Sequence, residues 1–339
     1  MKKSARVDIN QAARRAIFKS TGSALPEKVL DNSDLEKMID TSDQWITSRT
    51  GIKQRRIISE GQTTASLATQ AAKQTLKRAS LKGDDLDLII CATVTPEMVF
   101  PSTACFVQDN LKNHHCFAYD LAAACCGFIY AITNAAAMIS TGQTKNALII
   151  GAEALSNITD YTDRSSCILF GDGAGALLLQ SAENTDRGVL YSSMHADGGK
   201  WKPLYCPAYG SKHPAHKPLD DKSMVYMRIN GREIYQLAVR RIVEMIEEVY
   251  QVCSVSNDDI AMIIPHQMNL RIMESTAKRL NLPMEKMYMN IDRYGNTSAA
   301  SIAIALDEAI QNGCVKSGDL IILVAFGGGL TWGVNLVRL

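Results

Sequence analysis

A cysteine at a predicted helix start is the side chain in this sequence best placed to act as a nucleophile. Cys125 follows the apolar stretch YDLAAA and opens the small-residue run CCGFIYAITNAAAMIS. A helix start supplies unpaired backbone N–H groups and the positive end of the helix dipole, and both favour a thiolate. The pattern therefore predicts a nucleophile with a lowered pKa. The alternative is a buried structural thiol, which is the expectation for most of the nine cysteines.

Cys126 competes with Cys125 for the same role. Successive side chains on a helix point about 100° apart, so at most one of the two thiols faces a given pocket. We assign Cys126 to core packing and Cys125 to the pocket.

The second half of the chain contains three segments that could supply partners for the cysteine. IIPHQMNLRI places His266 directly after a predicted buried strand, at the sheet edge where α/β proteins hold their sites. DRYGNTSAAS places Asn296 in a turn before a small-residue helix, and AFGGGLTWG is a glycine run that can offer backbone N–H donors. Each has a simpler explanation, such as a strand-end histidine or a helix cap. Together they indicate one reacting centre.

Composition limits the classes of partner. Lys+Arg 36 against Asp+Glu 35 gives a net charge of +1, so the global field favours neither nucleic acid nor a membrane surface. No apolar run approaches the roughly 18 residues that span a bilayer. The nine cysteines are scattered without a CxxC pair, which argues against a zinc site and favours a reducing cytoplasm. The basic start MKKSARVDINQAARRAIF is interpreted as a short extension over residues 1–13, with organelle targeting as the alternative.

An internal repeat organises the elements that must position these residues. DDLDLII at Asp84 recurs as DDIAMII at Asp258, and GQTKNALIIGAE at Gly142 resembles GCVKSGDLIILVAF at Gly313, offsets of 174 and 171 residues. Near-equal offsets of two separate segments indicate a duplicated unit, and such a period is far too long for a solenoid.

Each unit alternates short apolar strands with helical stretches. This pattern is typical of mostly parallel sheets with helices outside, and two such halves with buried helices between them predict a five-layer αβαβα sandwich. The polar stretch Ser181–Gly188 marks the join, giving halves at residues 1–184 and 185–339. The irregular segment Gly198–Asp221 is too long for a simple connection, and we expect it to border the mouth of the active site.

Five sequence blocks, AACCGF, FGDGAGA, PHQMNLRI, YGNTSAAS and FGGGLTWG, resemble the signature blocks of β-ketoacyl-acyl carrier protein synthase III. The resemblance runs in order from about Gly22 to Leu339. It implies an α/β thiolase fold of duplicated βαβαβαββ halves and a homodimer. It also implies an acyltransferase that condenses a short acyl-CoA, such as acetyl-CoA, with malonyl-acyl carrier protein to initiate type II fatty acid synthesis. The family's Cys-His-Asn triad falls on Cys125, His266 and Asn296.

Further roles follow from the same resemblance. It implies an oxyanion hole from the backbone N–H groups of Cys125 and Gly328, and an acyl-pocket floor from Phe100 of a dimer partner. Carrier-protein docking falls on the helix with Arg271, Lys278 and Arg279, whose alternative is a solvated helix face. Coenzyme A thioester is a substrate, and no cofactor or metal is expected. The coenzyme A positions are Trp45, which could instead anchor the core, Arg49, Arg164 and Asn269.

One position departs from the pattern of the family. Cys126 stands where the family usually has alanine or serine. We expect this difference to affect the sensitivity of the protein to thiol reagents more than its mechanism.

Other classes of the superfamily fit the sequence less well. The glycine loop FGGGLTWG lacks the second catalytic cysteine of degradative thiolases, and Asn296 replaces the second histidine of elongating ketosynthases. A secondary-metabolism relative that loads another acyl group, and a non-catalytic acyl-CoA-binding paralogue, remain as alternatives.

Overall fold

The computed structural model describes residues 14–339, so the extension predicted at residues 1–13 lies outside the described part. The strands in this part are β1 (Arg14–Ala24), β2 (Val29–Asp31), β3 (Gln54–Arg56), β4 (Leu88–Ala92), β5 (Phe117–Leu121), β6 (Asn146–Glu153), β7 (Gly173–Glu183), β8 (Gly188–Ala196), β9 (Leu204–Tyr205), β10 (Arg228–Ile229), β11 (Met262–Pro265), β12 (Leu320–Gly327) and β13 (Thr331–Arg338). The α-helices are α1 (Asn32–Met38), α2 (Asp43–Thr50), α3 (Thr64–Ala79), α4 (Thr103–Asn110), α5 (Gly127–Ser140), α6 (Gly231–Cys253), α7 (Leu270–Leu280), α8 (Ile291–Tyr294) and α9 (Ala300–Gln311).

The first large sheet has the strand order β1-β7-β6-β4-β5. β4 pairs in parallel with β5 and β6, whereas β7 pairs antiparallel with β6 and β1. All five residues of β4 are buried, as expected for a continuous apolar strand with helices on both faces of its sheet.

The second large sheet has the order β11-β12-β13-β8 and repeats the pairing pattern of the first. Its counterpart of β5 is reduced to an isolated parallel bridge between Ile263 and Met287. The backbone N–H of Tyr288 donates to Ile263 at 2.9 Å, and the chain then turns away into α8. The second half therefore keeps the duplicated βαβαβαββ plan with one strand shortened to a bridge.

Helices and sheets alternate in five layers, as predicted. One core joins α3 and α4 to the first sheet, a second joins α6 and α7 to the second sheet, and a third holds α5 and α9 between the sheets. The middle helices are rich in small residues because they lie close to the strands. A Cβ added at Gly151 of β6 would lie 2.3 Å from the carbonyl oxygen of Ala299, so only glycine fits there.

The predicted join corresponds to the turn between β7 and β8. The irregular segment that begins at Gly198 contains the short strand β9, which pairs with β10. Within residues 14–339, no helix is long and apolar enough to cross a membrane.

Candidate active site

Cys125 lies in a single 3₁₀ turn, Ala124–Cys126, between the end of β5 and the start of α5. Ala124 has φ 46°, in the left-handed region, which turns the chain sharply at the thiol. The end of β12 packs directly against this turn. A Cβ added at Gly327 would lie 2.9 Å from the Cβ of Cys125, so the glycine run is what lets the second half approach the nucleophile.

Two cavities meet at the thiol, and both are lined by Cys125, Phe170 and Leu204. One, of about 100 Å³, also contains His266 and Asn296. The other, of about 160 Å³, is lined mainly by apolar side chains, among them Val94, Leu155, Ile158 and Met227. Leu204 and Cys206 belong to the irregular segment that begins at Gly198, so this segment borders the cavities at Cys125, where the active site is expected.

His266 follows β11 and is 1% exposed. Its Nδ1 lies 2.6 Å from the Ser301 hydroxyl, which also accepts a long bond of 3.4 Å from the backbone N–H of Gln267. The Ser301 hydroxyl can donate its proton to Nδ1, and in that tautomer the ring proton of His266 stands on Nε2. Nε2 is buried without a hydrogen-bond partner in the described residues. Burial lowers the pKa of His266 to about 3, so the ring is neutral.

Asn296 is held in the turn before α9. Its backbone N–H donates to Leu169 at 2.8 Å, and its Oδ1 accepts from the backbone N–H of Ser298 at 2.9 Å. Because Oδ1 is engaged in the turn, the side chain offers the cavity its Nδ2–H donor. The structure thus brings two neutral donors, on His266 and Asn296, into the cavity that contains Cys125.

Burial raises the pKa of the Cys125 thiol to about 12. The Ser298 hydroxyl and the backbone N–H groups of Cys125 and Gly328 oppose this rise without cancelling it. The expectation that the helix start leaves a lowered pKa is therefore wrong, because desolvation of the thiolate is the larger effect. The two backbone N–H groups that face the sulfur are those predicted to form an oxyanion hole.

Cys126 is fully buried in the middle core. Its thiol donates to the carbonyl of Thr331 at 3.2 Å, and it lines neither cavity at Cys125. The structure places Cys126 in packing, as its helical position predicts.

Three predicted coenzyme A positions cluster on one surface. The guanidinium carbons of Arg164 and Arg49 lie 4.1 Å and 5.6 Å from the ring centroid of Trp45, which is half-buried. The fourth position, Asn269, lines the Cys125 cavity, and its Nδ2 donates to the carbonyl of Arg49 at 3.2 Å. Its Oδ1 caps α7 through the backbone N–H of Arg271. Asn269 therefore ties the Trp45 surface to the rim of the cavity.

The remaining predicted residues lie outside the two cavities. Arg271 and Lys278 are exposed on α7, and Nε of Arg271 donates to the carbonyl of Ser48 at 2.9 Å. Phe100 is 81% exposed beside Val99, which is 89% exposed, and it lines neither cavity of its own chain. No group of three or more histidine, cysteine, aspartate or glutamate side chains within residues 14–339 could hold a metal ion.

Sequence reasoning missed three polar side chains around the site. Ser298 and Ser301 lie in the block YGNTSAAS but were treated only as small residues of a helix start. Glu153 ends the apolar strand β6 and is fully buried. A carboxylate that closes an apolar strand is a signal in the sequence that could have identified it.

Comparisons with known proteins agree with this geometry. The model of 3-oxoacyl-[acyl-carrier-protein (ACP)] synthase III matches residues 119–198, and the model of its C-terminal part matches residues 251–339. A β-ketoacyl-[acyl-carrier-protein] synthase III from Caldanaerobacter subterraneus is 51% identical over 94% of this chain and 96% of the relative. The relative of that name from Aquifex aeolicus is 49% identical over 94% of this chain and 97% of its own length.

Solved structures extend the comparison. The crystal structure of 3-oxoacyl-[acyl-carrier-protein] synthase III from Aquifex aeolicus superposes with a TM-score of 0.89 at 48% identity, covering 96% of this chain and all 100% of that one. The priming β-ketosynthase of the R1128 polyketide pathway has a TM-score of 0.88 at 27% identity, covering 100% of this chain and 98% of the other. The thiolase fold predicted from the sequence is confirmed, and the chain belongs to the β-ketoacyl-[acyl-carrier-protein] synthase III family.

Proposed function

We propose that this protein catalyses the decarboxylative condensation of a short acyl-CoA, acetyl-CoA in the first instance, with malonyl-acyl carrier protein. This reaction initiates type II fatty acid synthesis. The observation that carries the proposal is the meeting of Cys125 with two neutral donors, His266 and Asn296, in one cavity.

The first step is acyl transfer to Cys125. Its Sγ attacks the thioester carbonyl, coenzyme A leaves, and the acyl group is stored as a thioester on the enzyme. The backbone N–H groups of Cys125 and Gly328 receive the oxyanion, and a donor of this kind is typically worth about 3 kcal/mol. The apolar cavity beside the thiol, of about 160 Å³, suits a short acyl chain.

The second step is decarboxylation of the malonyl thioester. Loss of carbon dioxide leaves an enolate, whose oxygen is stabilised by the Nε2–H of His266 and the Nδ2–H of Asn296. Because decarboxylation itself generates the carbanion, no base is needed, and a neutral histidine suits this role. The carbanion then attacks the acyl-Cys125 thioester and releases the β-ketoacyl product.

The test is a two-stage incubation with radiolabelled acetyl-CoA. We expect label on Cys125 in the first stage, and its transfer to the carrier protein with release of carbon dioxide when malonyl-acyl carrier protein is added. Protein that binds acetyl-CoA and remains unlabelled would identify the non-catalytic paralogue instead. A panel of acyl-CoA primers distinguishes an enzyme of fatty acid synthesis from a secondary-metabolism relative that loads another acyl group. The relatives at 49–51% identity favour fatty acid synthesis.

For coenzyme A, we propose that Trp45 and Arg164 bind the adenine and phosphate end. At 4.1 Å, Arg164 already stacks on the Trp45 ring, so a base must displace the guanidinium or use the opposite face. We expect Trp45→Ala and Arg164→Ala each to raise KM for acetyl-CoA about tenfold with kcat within about twofold. The matched control is the acetyl thioester of a truncated thiol without the nucleotide. A tenfold loss with that substrate as well would mean that the cluster is structural.

We propose that the protein works as a homodimer. Met98, Val99 and Phe100 form an exposed apolar group, and β5, with Phe117 45% exposed, is an edge strand. Apolar groups and open strand edges of this kind are covered by a partner in stable assemblies. Phe100 of one subunit would then close the acyl cavity of the other.

Phe100→Asp should therefore shift the protein from dimer to monomer in light-scattering chromatography and reduce acyl transfer at least about tenfold. Met38→Asp, which charges another exposed apolar residue on α1, should leave the dimer intact. A Phe100→Asp protein that stays dimeric and fully active would contradict this placement.

Carrier-protein docking on α7 remains a proposal, supported by the exposed cations Arg271, Lys278 and Arg279. Lys278 is the better residue to substitute in a test of docking, since Arg271 is also hydrogen-bonded to α2.

We also propose a cytoplasmic location, which fits the nine cysteines, all of which are free thiols.

A further inference from the structure

Arg55 of β3 is a fully buried arginine whose hydrogen-bond acceptors, in the part of the chain that the structure describes, are neutral oxygens. Its Nη1 donates to the carbonyl of Leu30 at 3.2 Å and to Oδ1 of Asn32 at 2.9 Å. Its Nη2 donates to the carbonyl of Ile168 at 2.6 Å, and Nε is buried without a partner in the described residues. Burial lowers the pKa of Arg55 to about 10, so the guanidinium is still charged at neutral pH.

A buried cation with only neutral partners is destabilising in itself. Taking the charge out of water has a large penalty, which neutral acceptors offset only in part. An apolar side chain of similar volume is often neutral or stabilising at such a position. What an apolar side chain cannot supply is a planar fork of donors that holds several oxygens in fixed directions at once. The contacts of Arg55 therefore indicate a positioning role.

The segment that Arg55 holds through Ile168 is also the segment that fixes Asn296. The carbonyl of Leu169 accepts the backbone N–H of Asn296 at 2.8 Å. The backbone N–H of Gly171 donates to the carbonyl of Asn296 at 3.0 Å, and the two segments form a parallel bridge between these bonds. Both backbone groups of Asn296 are thus bonded to the residues that directly follow the carbonyl held by Arg55.

The stem of Arg55 packs against the same two segments. A Cβ added at Gly171 would lie 3.0 Å from the Cβ of Arg55, and one added at Gly295 would lie 3.4 Å from it. Gly295 directly precedes Asn296 and has φ 64°, in the left-handed region. The side chain of Arg55 therefore contacts the turn before Asn296 with its stem and bonds to the neighbouring segment with its guanidinium.

The remaining bonds of the guanidinium go to the chain that follows β2. Asn32, which accepts from Nη1 of Arg55, donates through Nδ2 to the carbonyl of Ile52 and to Oδ1 of Asp43, each at 2.8 Å. Asp43 begins α2, the helix of Trp45, which we propose to bind coenzyme A. Arg55 therefore joins the chain around α2 to the segment that fixes the backbone of the enolate donor.

We propose that Arg55 is a positioning residue for decarboxylation, because its bond to the Ile168 carbonyl fixes the segment that orients the Asn296 amide. The Nδ2–H of Asn296 must point at the enolate oxygen, and a displacement of about 1 Å in such a group can slow a reaction about 100-fold. Cys125 and His266 follow β5 and β11, which are other elements. Arg55 should therefore affect the second step and spare the first. This inference rests on the proposed function of Asn296.

Arg55→Met tests this by comparing the two steps. The variant keeps an unbranched stem but loses the charge and every donor. We expect carbon dioxide release from malonyl-acyl carrier protein to fall about 10- to 100-fold, and labelling of Cys125 by acetyl-CoA to stay within about threefold of the wild type. An equal loss of both steps would mean that Arg55 only supports the fold, and the proposal would be wrong.

Arg55→Lys keeps the charge and serves as the test if the methionine variant does not fold. Its single ammonium nitrogen cannot hold Ile168 and the acceptors after β2 with the fork geometry of a guanidinium. It should slow decarboxylation about tenfold while labelling of Cys125 is preserved. Full decarboxylation activity in the lysine variant would mean that the charge alone is sufficient, which contradicts positioning by the fork.

A double-mutant cycle tests whether Arg55 acts through Asn296. In an Asn296→Ala background the amide is already absent, so adding Arg55→Met should slow decarboxylation by less than a further twofold or so, about the limit of additivity errors. A further loss as large as that in the wild-type background would show that the two residues act independently. That result overturns the proposal.

Asn32→Ala is the matched control for the other side of the fork. It removes one neutral partner of Arg55 and leaves the bond to Ile168 in place. Decarboxylation at saturating substrate should stay within about twofold of the wild type. If Asn32→Ala slows this step as much as Arg55→Met does, Arg55 acts through the chain around α2, and positioning through Ile168 is wrong.

Amide hydrogen exchange tests the same inference without any substrate, so its failure is distinct from failure of the proposed function. In both Arg55 variants, peptides that contain the backbone N–H groups of Gly171 and Asn296 should exchange at least about tenfold faster than in the wild type. Peptides from β12 are the reference and should be unchanged. Unchanged exchange at Asn296, or equal acceleration in β12, overturns the proposal whether or not the protein condenses acyl groups.

Discussion

Cys125→Ala should abolish the radiolabelled acyl-enzyme and reduce condensation at least about 1,000-fold. The reason is that the thiol forms the only covalent bond between enzyme and substrate in the proposed mechanism, and water or coenzyme A cannot take over storage of the acyl group. Label on the intact protein and carbon dioxide release with both substrates are the two measurements. The variant should fold normally, because the change removes one sulfur beside existing cavities.

The matched control for this variant is its neighbour in the chain. Cys126→Ala removes the same atom from a fully buried side chain that, among the described residues, hydrogen-bonds only to Thr331 and lines neither cavity. It should keep most of the acyl transfer and lose stability by about 1 kcal/mol through the small cavity that it leaves. If Cys126→Ala loses labelling and Cys125→Ala keeps it, the nucleophile has been assigned to the wrong residue.

Removing either enolate donor should have a different signature from removing the thiol. We expect His266→Ala and Asn296→Ala each to slow decarboxylation of the malonyl thioester about 100- to 1,000-fold, as loss of one oxyanion donor does elsewhere. Acylation of Cys125 should persist in both, since neither group takes part in the proposed first step. Labelling by acetyl-CoA and release of carbon dioxide, measured separately, distinguish the two steps.

Asn296→Asp refines this experiment. Asp keeps an oxygen for the backbone N–H of Ser298, so the turn is preserved while the donor is replaced by an acceptor. It should be at least as damaging to decarboxylation as Asn296→Ala, because a carboxylate repels the enolate. If Asn296→Asp decarboxylates normally, the amide only shapes the turn.

The sequence was sufficient to predict which residues meet at one cavity, because most of them stand where a strand ends or a helix begins. Cys125 follows a strand and precedes a helix, His266 follows a proline at a strand end, and the glycine run closes β12. The duplicated pattern then predicted which layers bring them together. Patterns of this kind can be recognised in a short stretch of sequence without any knowledge of tertiary contacts.

What could not be predicted depends on contacts between the halves. The thiol pKa is raised because β12 covers Cys125 from the other half of the chain, and no local pattern reports that burial. In the second sheet, the counterpart of β5 is only the bridge between Ile263 and Met287, because the chain turns into α8 instead of continuing to pair with β11. No local pattern indicates where that pairing stops.

The two cavities that meet at the thiol have a kinetic consequence. If the acyl chain rests on one side of the sulfur, the other side empties when coenzyme A departs and is then filled by the malonyl group. The two substrates then react at the same thiol in turn, so the enzyme should obey ping-pong kinetics, with parallel lines in double-reciprocal plots. Free coenzyme A should then inhibit competitively against malonyl-acyl carrier protein, because both need the same vacated space.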